Sequence, residues 1–208
     1  MSFDRLAPHY DWMEALTAGN LLQTARTIWL GDLRGCRRVL SAGEGHGRFA
    51  TAFGRRFPDA RLTCVDASPA MLARARRRAE AAQVSAEWIH GTVPAWRPPR
   101  GGFDAVVTCF FLDCFDGDEL RTVVAALAEG AASGATWLVG DFAVPARGPK
   151  RWRAQAKHVS MYAFFRATTR FSARRVTPPD DLLRAEGFRL KKRRELSWGL
   201  LRADLWVR

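Results

Sequence analysis

Three alternating glycines and one aspartate are the residues whose types and spacing first suggest ligand binding. Gly43, Gly45 and Gly47 follow a short apolar run, and a helix-forming run comes after them. Glycines at this spacing let the backbone turn tightly and bring a ligand against main-chain N–H groups at a helix N-terminus. Asp66 ends the next apolar run, 19 residues beyond Gly47. An acid at the tip of the second strand of a β-α-β unit is placed to bind ribose hydroxyls.

The glycines are spaced G-x-G-x-G, unlike the dinucleotide fingerprint G-x-G-x-x-G, and residues 66–72 read Asp-Ala-Ser-Pro-Ala-Met-Leu. In these two motifs the chain resembles class I S-adenosylmethionine (SAM)-dependent methyltransferases, and the resemblance covers residues 35–145. It implies an α/β Rossmann-like sandwich with a seven-stranded, mostly parallel sheet and an antiparallel terminal strand. It also implies SAM as cofactor, S-adenosyl-L-homocysteine (SAH) as product, and no metal. A glycine-rich turn without a ligand is the alternative.

The resemblance implies a cofactor site residue by residue, with one departure from the family's pattern. Ser41 stands where the family usually has an acidic residue, and we expect Glu44, three positions later, to meet the methionine ammonium. Many relatives have an acid that meets the adenine amine near Thr92, where this chain has a hydroxyl or main-chain groups. The implied cofactor-binding residues are Tyr10, Gly43, Glu44, Gly45, His46, Gly47, Asp66, Ala67, Met71, Thr92, Val93 and Cys109.

Few side chains could act on the acceptor of a methyl group. Methyl transfer from a sulfonium is an in-line displacement, so much of the catalysis is the positioning of a nucleophile against the methyl group. A general base is needed only when the acceptor must lose a proton. The candidate catalytic residues are His9, Asp113, His158 and Tyr162. His158 could instead be a core residue on an apolar helical stripe, and Asp113 a helix cap.

A particular order of strands and helices must bring these residues together. The apolar run over residues 102–113 is typical of a central parallel strand buried on both faces. Ser68 followed by Pro69 predicts the start of a helix. We predict one domain over residues 1–208. Its parts are N-terminal lid helices (1–34), a SAM-binding core (35–145), an inserted substrate-side helix (146–176), and a terminal helix and hairpin (177–208).

Residues 10–13 read Tyr-Asp-Trp-Met. This stretch resembles the N-terminal Tyr-Asp-x-Met signature of the quinone C-methyltransferases of ubiquinone and menaquinone synthesis. The match is partial, because the family's following Asn and its later His and Trp are absent. The stretch supports a lid helix more than it identifies a substrate. We predict a SAM-dependent methyltransferase acting on a small apolar or aromatic acceptor, either quinone-like or another metabolite.

The composition predicts a cytoplasmic globular protein. A chain of 208 residues with 48% hydrophobic content fits one domain with a full core. The first residues are mixed and polar, and no apolar stretch approaches the roughly 20 residues needed to span a bilayer. The 4 cysteines lack zinc-ligand spacing, so we expect reduced core residues and no metal site.

Positive charge is concentrated in the last third of the chain. Residues 1–145 contain 16 Lys and Arg against 16 Asp and Glu, whereas residues 146–208 contain 17 against 5. Such asymmetry suggests an anionic partner, which could be nucleic acid, a membrane surface or an acidic substrate. A solvated basic face is the alternative.

Two further functions compete with small-molecule transfer. RNA N-methyltransferases of this fold tend to carry an Asn/Asp-Pro-Pro-aromatic motif after the fourth strand, where this chain has Cys-Phe-Phe-Leu-Asp at residues 109–113. Its aromatic residues also do not alternate with arginines, as an exposed stacking surface would. Nucleic acid is therefore the less favoured partner. A SAM-binding protein without catalysis is the third possibility.

Overall fold

The computed structural model describes residues 20–144 and 176–208. These ranges include the whole glycine loop and the terminal hairpin. The predicted site residues that lie outside them are His9, Tyr10, His158 and Tyr162. Most of the predicted lid and inserted helix also falls outside the described residues.

The described strands form one seven-stranded sheet. The strands are β1 (Arg38–Ala42), β2 (Arg61–Asp66), β3 (Glu87–His90), β4 (Phe103–Cys109), β5 (Ala131–Phe142), β6 (Arg189–Leu196) and β7 (Leu201–Val207). Their order across the sheet is β3-β2-β1-β4-β5-β7-β6. Neighbouring strands among β1 to β5 pair in parallel, and β7 runs antiparallel to both β5 and β6. The predicted sheet with a reversed last strand is confirmed.

Helices connect these strands. The α-helices among the described residues are α1 (Asn20–Thr27), α2 (Arg48–Arg56), α3 (Pro69–Ala81), α4 (Gly117–Gly130) and α5 (Asp180–Ala185). Short 3-10 helices cover Leu30–Leu33, Leu112–Cys114 and Ser197–Gly199. Within the two described ranges, no helix is long and apolar enough to cross a membrane.

The helix starts follow from local capping chemistry. Ser68 accepts a hydrogen bond from the Met71 N–H at 3.2 Å, and Pro69 is the first residue of α3, as predicted. Asp116 occupies the N-cap position of α4, but its side chain makes no capping hydrogen bond there. Side-chain capping therefore marks the start of α3 but not that of α4.

Apolar side chains fill both faces of the sheet. On one face, Val106 of β4 belongs to a cluster with Leu120 and Val124 of α4. On the other, Val107 belongs to a cluster with Phe49 and Phe53 of α2. Because successive strand residues point to opposite faces, β4 buries apolar side chains on both sides of the sheet, as the sequence predicted.

The strand order reverses at β1, which lies between β2 and β4. The connections on its two sides therefore lead in opposite directions. In open α/β sheets a crevice forms outside the carboxyl ends of the strands at such a point, and ligands bind there.

Candidate cofactor-binding site

A cavity of about 530 Å³ lies at the carboxyl ends of β1, β2 and β4. Most of the predicted cofactor residues line it. They are Gly43, Glu44, Gly45, His46, Asp66, Ala67, Met71, Thr92, Val93 and Cys109. Gly47 is not in the lining and forms the N-cap of α2.

The three loop glycines all have positive φ, at 70°, 66° and 86°, a region that other residues rarely adopt. The three positions differ in how much space surrounds the backbone. A Cβ at Gly43 would collide with the ring of Phe111, and a Cβ at Gly47 would lie 2.7 Å from the Cα of Ala75 in α3. A Cβ at Gly45 would meet nothing within 4 Å, so this backbone borders open space in the cavity. Two glycines allow close packing, and Gly45 leaves room for a ligand.

Two N–H groups of the glycine loop donate within the protein. The Gly43 N–H donates to the Val65 carbonyl at 2.8 Å. The Gly45 N–H donates to Asp66 Oδ2 at 2.8 Å. Both donors are used to fasten the loop to the end of β2, because a buried N–H without a partner is costly. The loop thus contributes shape and fixes Asp66.

Asp66 is held by main-chain donors on both carboxylate oxygens. Besides the bond from Gly45, its Oδ1 accepts from the Ser68 N–H at 2.8 Å. The side chain is half-buried and lines the cavity. An ionised carboxylate has about four lone-pair sites, so each oxygen can still accept a hydroxyl proton.

Glu44 folds back toward β1. The Ser41 hydroxyl donates to Glu44 Oε2 at 2.5 Å, and the Ala50 N–H donates to Oε1 at 2.9 Å. Burial raises the pKa of Glu44 to about 7, an effect opposed by these two hydrogen bonds and by the charge of Arg26. The carboxylate therefore lies beside Ser41, although its Cα is three residues further along the chain.

Arg26 is a cavity residue that the sequence analysis missed. It belongs to the buried face of α1, beside Leu22 and Ala25, and is only 6% exposed. Its guanidinium carbon lies 5.0 Å from the centroid of the Phe110 ring and its charge acts on Glu44. The available sequence signal was an arginine four positions after Leu22, on a face that is otherwise apolar.

Aromatic side chains and thiols form a wall of the cavity after β4. The lining includes Cys109, Phe110, Phe111, Cys114 and Phe115. The rings of Phe111 and Phe115 meet edge to face with centroids 5.1 Å apart. Burial raises the pKa of both thiols, so they are neutral at neutral pH and the wall is uncharged.

Asp113 lies behind this wall. It is only 5% exposed and is not part of the cavity lining. Burial raises the pKa of Asp113 to about 7. Asp141, at the end of β5, is also buried, and the nearby charge of Asp113 adds to the effect of burial in raising its pKa. A direct contact between Asp113 and an acceptor stays a prediction.

His46 is fixed on both its ring and its main chain. Its Nε2 accepts from Arg48 Nε at 3.0 Å, and its carbonyl accepts from Arg78 Nη1 at 2.5 Å. The ring is 2% exposed at the cavity boundary. Within the described part of the chain, no group of three or more His, Cys, Asp or Glu side chains could hold a metal ion.

Comparisons with known proteins agree with this geometry. A family model described as "Methyltransferase domain" matches residues 39–134. The demethylmenaquinone methyltransferase of Thermus thermophilus is 30% identical over 148 residues, which are 70% of this chain and 66% of that protein. The ubiquinone/menaquinone biosynthesis C-methyltransferase UbiE of Paracoccus denitrificans is 33% identical over 113 residues, or 52% of this chain and 45% of that protein. The chain thus spans less than two thirds of either relative.

A solved structure supports the fold. The 1,6-didemethyltoxoflavin-N1-methyltransferase of Burkholderia thailandensis, with bound 1,6-didemethyltoxoflavin and SAH, is similar with a TM-score of 0.69. The two chains share 18% identity, and the match covers 98% of this chain and 84% of that one. Identity at this level is evidence for the fold alone.

The fold and the methyltransferase-domain match over residues 39–134 support a class I SAM-dependent methyltransferase. The chain is loosely similar to the ubiquinone and menaquinone C-methyltransferases.

Proposed function

We propose that this chain is an enzyme that binds SAM and transfers its methyl group to a small apolar or aromatic acceptor. One observation carries the proposal: a single cavity presents Asp66, the Glu44–Arg26 pair and an uncharged aromatic wall. SAM needs these three environments for its ribose, its charged methionine end and its reactive methyl group. When bound, SAM supplies the electron-poor methyl carbon.

The charged groups fit the two ends of the methionine moiety. The carboxylate of Glu44 can pair with the ammonium, and the guanidinium of Arg26 can pair with the carboxylate. Both side chains are buried, and hydrogen bonds to charged groups are stronger than those between neutral ones. A ligand that carries both charges would satisfy both side chains at once. His46 is a further proposed neighbour of the methionine carboxylate.

Asp66 fits the ribose diol. Its two oxygens are aimed by the main chain of Gly45 and Ser68, so the carboxylate is preorganised for a pair of hydroxyl donors. The positive φ of Gly45 and the open space beside it leave room for the sugar. Thr92 and Val93, also in the lining, are the proposed adenine neighbours.

The aromatic wall of the cavity is the basis for the proposed class of methyl acceptor. Phe110, Phe111 and Phe115 are typical of a surface that stacks against a flat apolar ring. The similarity to enzymes named for demethylmenaquinone and for ubiquinone and menaquinone supports a quinone-like acceptor. An activated ring carbon must lose a proton after methylation, and a general base would accept that proton. His9, Asp113, His158 and Tyr162 are the proposed catalytic candidates.

Two measurements test the proposal. Calorimetry should detect SAH binding to the wild-type protein, with Asp66→Ala as the impaired control. Incubation with methyl-labelled SAM and reduced 1,4-naphthoquinone should then move the label into an organic extract. Failure to bind SAH would overturn the function, whereas SAH binding without transfer to this or other acceptors would leave a SAM-binding protein without catalysis.

A second candidate is an RNA methyltransferase. Exposed Arg189, Lys191 and Arg194 on β6 have no ion pair among the described residues, which favours a polyanion. The same cations could hold the protein at an anionic membrane surface, where a lipophilic acceptor would be available. RNA binding that falls steeply with salt would support the first, and binding to phosphatidylserine vesicles would support the second.

A further inference from the structure

The turn that follows β4 has an unfavourable backbone. Phe110 has a φ of 55°, in the left-handed region that a bulky residue rarely adopts. Such a conformation persists only where the surrounding structure fixes it, and residues of this kind cluster at binding sites. The turn lies at the cavity boundary, directly after the strand end at Cys109.

Two hydrogen bonds, donated by the turn and accepted at the end of β5, hold this turn in place. The Phe110 N–H donates to the Gly140 carbonyl at 2.6 Å, a main-chain bond that any residue at 140 could supply. The Phe111 N–H donates to Asp141 Oδ1 at 3.2 Å. The second bond depends on the side chain at position 141.

The turn determines where two rings of the cavity wall lie. The Phe111 ring packs on the backbone of Gly43, so closely that no Cβ fits there, and against Phe115. The Phe110 ring lies under the guanidinium of Arg26. A shift of the Phe110–Phe111 peptide would therefore move both rings and disturb the glycine loop and Arg26.

We infer that Asp141 is a positioning residue of the binding site, because its carboxyl group fixes the Phe110–Phe111 turn and thereby the aromatic wall. Asp141 itself does not line the cavity, so it acts on the site through Phe111. The inference rests on the proposed function only in treating this wall as part of the SAM and acceptor site.

The surroundings of Asp141 favour a hydrogen-bonding role over a charged one. The side chain is 2% exposed, and its Oδ2 has no hydrogen-bond partner among the described residues. Burial and the charges of Asp113 and Asp204 raise the pKa of Asp141, whereas the charge of Arg202 and the hydrogen bond from the Phe111 N–H lower it. The amide oxygen of asparagine can accept the Phe111 N–H at the place of Asp141 Oδ1, so asparagine should replace Asp141 in this contact.

Three variants separate this role from general stability. Asp141→Asn keeps an acceptor at the same place, and Asp141→Leu removes it in a larger side chain with the same branching. The matched control is Asp104→Leu. Asp104, at the other end of β4, also accepts main-chain hydrogen bonds, from Arg37 and Arg38 at 2.9 Å each, but lies away from the cavity.

The first readout is structural and does not depend on activity. Labelling Phe carbonyls with carbon-13 and Phe amides with nitrogen-15 gives one NMR signal for each Phe–Phe peptide, at 110–111 and at 164–165. Asp141→Leu should move one signal upfield in the amide proton dimension. Asp141→Asn should leave that signal near its wild-type position, and Asp104→Leu should leave both unchanged.

The second readout is the affinity for SAH. Asp141→Leu should weaken binding about tenfold, the equivalent of one lost hydrogen bond, whereas Asp141→Asn should stay within about twofold. Unmoved signals and unchanged affinity in Asp141→Leu would overturn the inference, as would an equal loss in Asp141→Asn. If the wild-type protein binds no SAH, the proposed function fails, and the NMR signals still decide whether Asp141 fixes the turn.

Discussion

The hydroxyl of Ser41 donates a hydrogen bond to the carboxylate of Glu44. Ser41 occupies the position where the family usually has its acid, and Glu44 returns a carboxylate to that position from three residues downstream. The Ala50 N–H holds the other oxygen at 2.9 Å. The two hydrogen bonds fix the direction of the carboxylate beside Ser41.

This relationship predicts that Glu44 carries more of the SAM affinity than Ser41. Glu44→Gln removes the charge that would pair with the methionine ammonium and should cost about 1.5–3 kcal/mol of binding free energy. Ser41→Ala removes only a neutral donor and should cost about 1 kcal/mol. Calorimetry with SAH on both variants checks the order, and the reverse order would show that Glu44 does not compensate for Ser41.

SAH affinity should rise with pH through neutrality. Burial raises the pKa of Glu44 to about 7, and only the ionised carboxylate can pair with an ammonium. At pH 6 roughly one tenth of the protein is competent, so affinity should increase roughly eightfold between pH 6 and 7.5. Calorimetry across this range gives the profile, and Glu44→Gln should flatten it.

The same shift affects the stability of the unliganded protein with the opposite sign. The folded state keeps the Glu44 proton up to about pH 7, whereas the unfolded chain releases it near the ordinary value of 4.5. The folded state therefore binds more protons between these values, and the Glu44 contribution to the unfolding free energy should fall as pH rises from 4.5 to 7. Urea unfolding of wild type and Glu44→Gln at pH 4.5 and 7 would measure it.

Arg26 should recognise the methionine carboxylate and nothing else of the cofactor. Arg26→Met should weaken SAH by about 1.5–3 kcal/mol, since a charge-assisted interaction is lost. 5′-Methylthioadenosine has the same adenosine group but neither the carboxylate nor the ammonium, so its affinity should hardly change. Equal weakening of both ligands would mean that Arg26 acts by supporting the Phe110 ring.

Substitution of Asp66, unlike that of Arg26, should weaken the binding of SAH and of 5′-methylthioadenosine alike. Asp66→Ala removes a carboxylate that would accept from the ribose diol, with an expected cost of about 1.5–3 kcal/mol. Because both SAH and 5′-methylthioadenosine carry this ribose, both should weaken together. Unchanged affinity for both would contradict the assignment of the ribose to Asp66.

Substitutions of the basic residues of β6 should fall into two groups by their effect on folding stability. Lys192 pairs with Asp32 at 2.7 Å, and Arg193 pairs with Asp180 at 2.6 Å and with fully buried Asp204 at 2.7 Å. Arg193→Met would leave two acids with less compensation, at a cost on the order of 2 kcal/mol and a lower melting temperature.

The matched comparison is a triple variant of the unpaired cations. Glutamine at 189, 191 and 194 should change stability by about 0.5 kcal/mol or less per site, because exposed side chains without partners contribute little. Thermal unfolding distinguishes the two sets.

Local patterns were sufficient for many of the elements and for most of the predicted residues that line the cavity. Ser68 and Pro69 started α3 where capping chemistry required, and the continuous apolar run of β4 indicated burial on both faces. Gly43, Gly45 and Asp66 could be found because short-range backbone demands and strand ends leave a signature in nearby residues. The single-domain division and the roles of the four catalytic candidates stay predictions.

Arg26, Phe111 and Asp141 could not be found in this way. Arg26 comes from a helix before the first strand, and Asp141 reaches Phe111 across 30 residues of sequence. The pKa of Glu44 likewise depends on burial by elements that are distant in the chain. Spacing within the sequence indicated the glycine loop, the position of Asp66 at a strand end and the start of α3, because these depend on neighbouring residues. Only the tertiary structure decided which charge meets Glu44 and which carboxyl group holds the aromatic wall, because those depend on how separate elements pack.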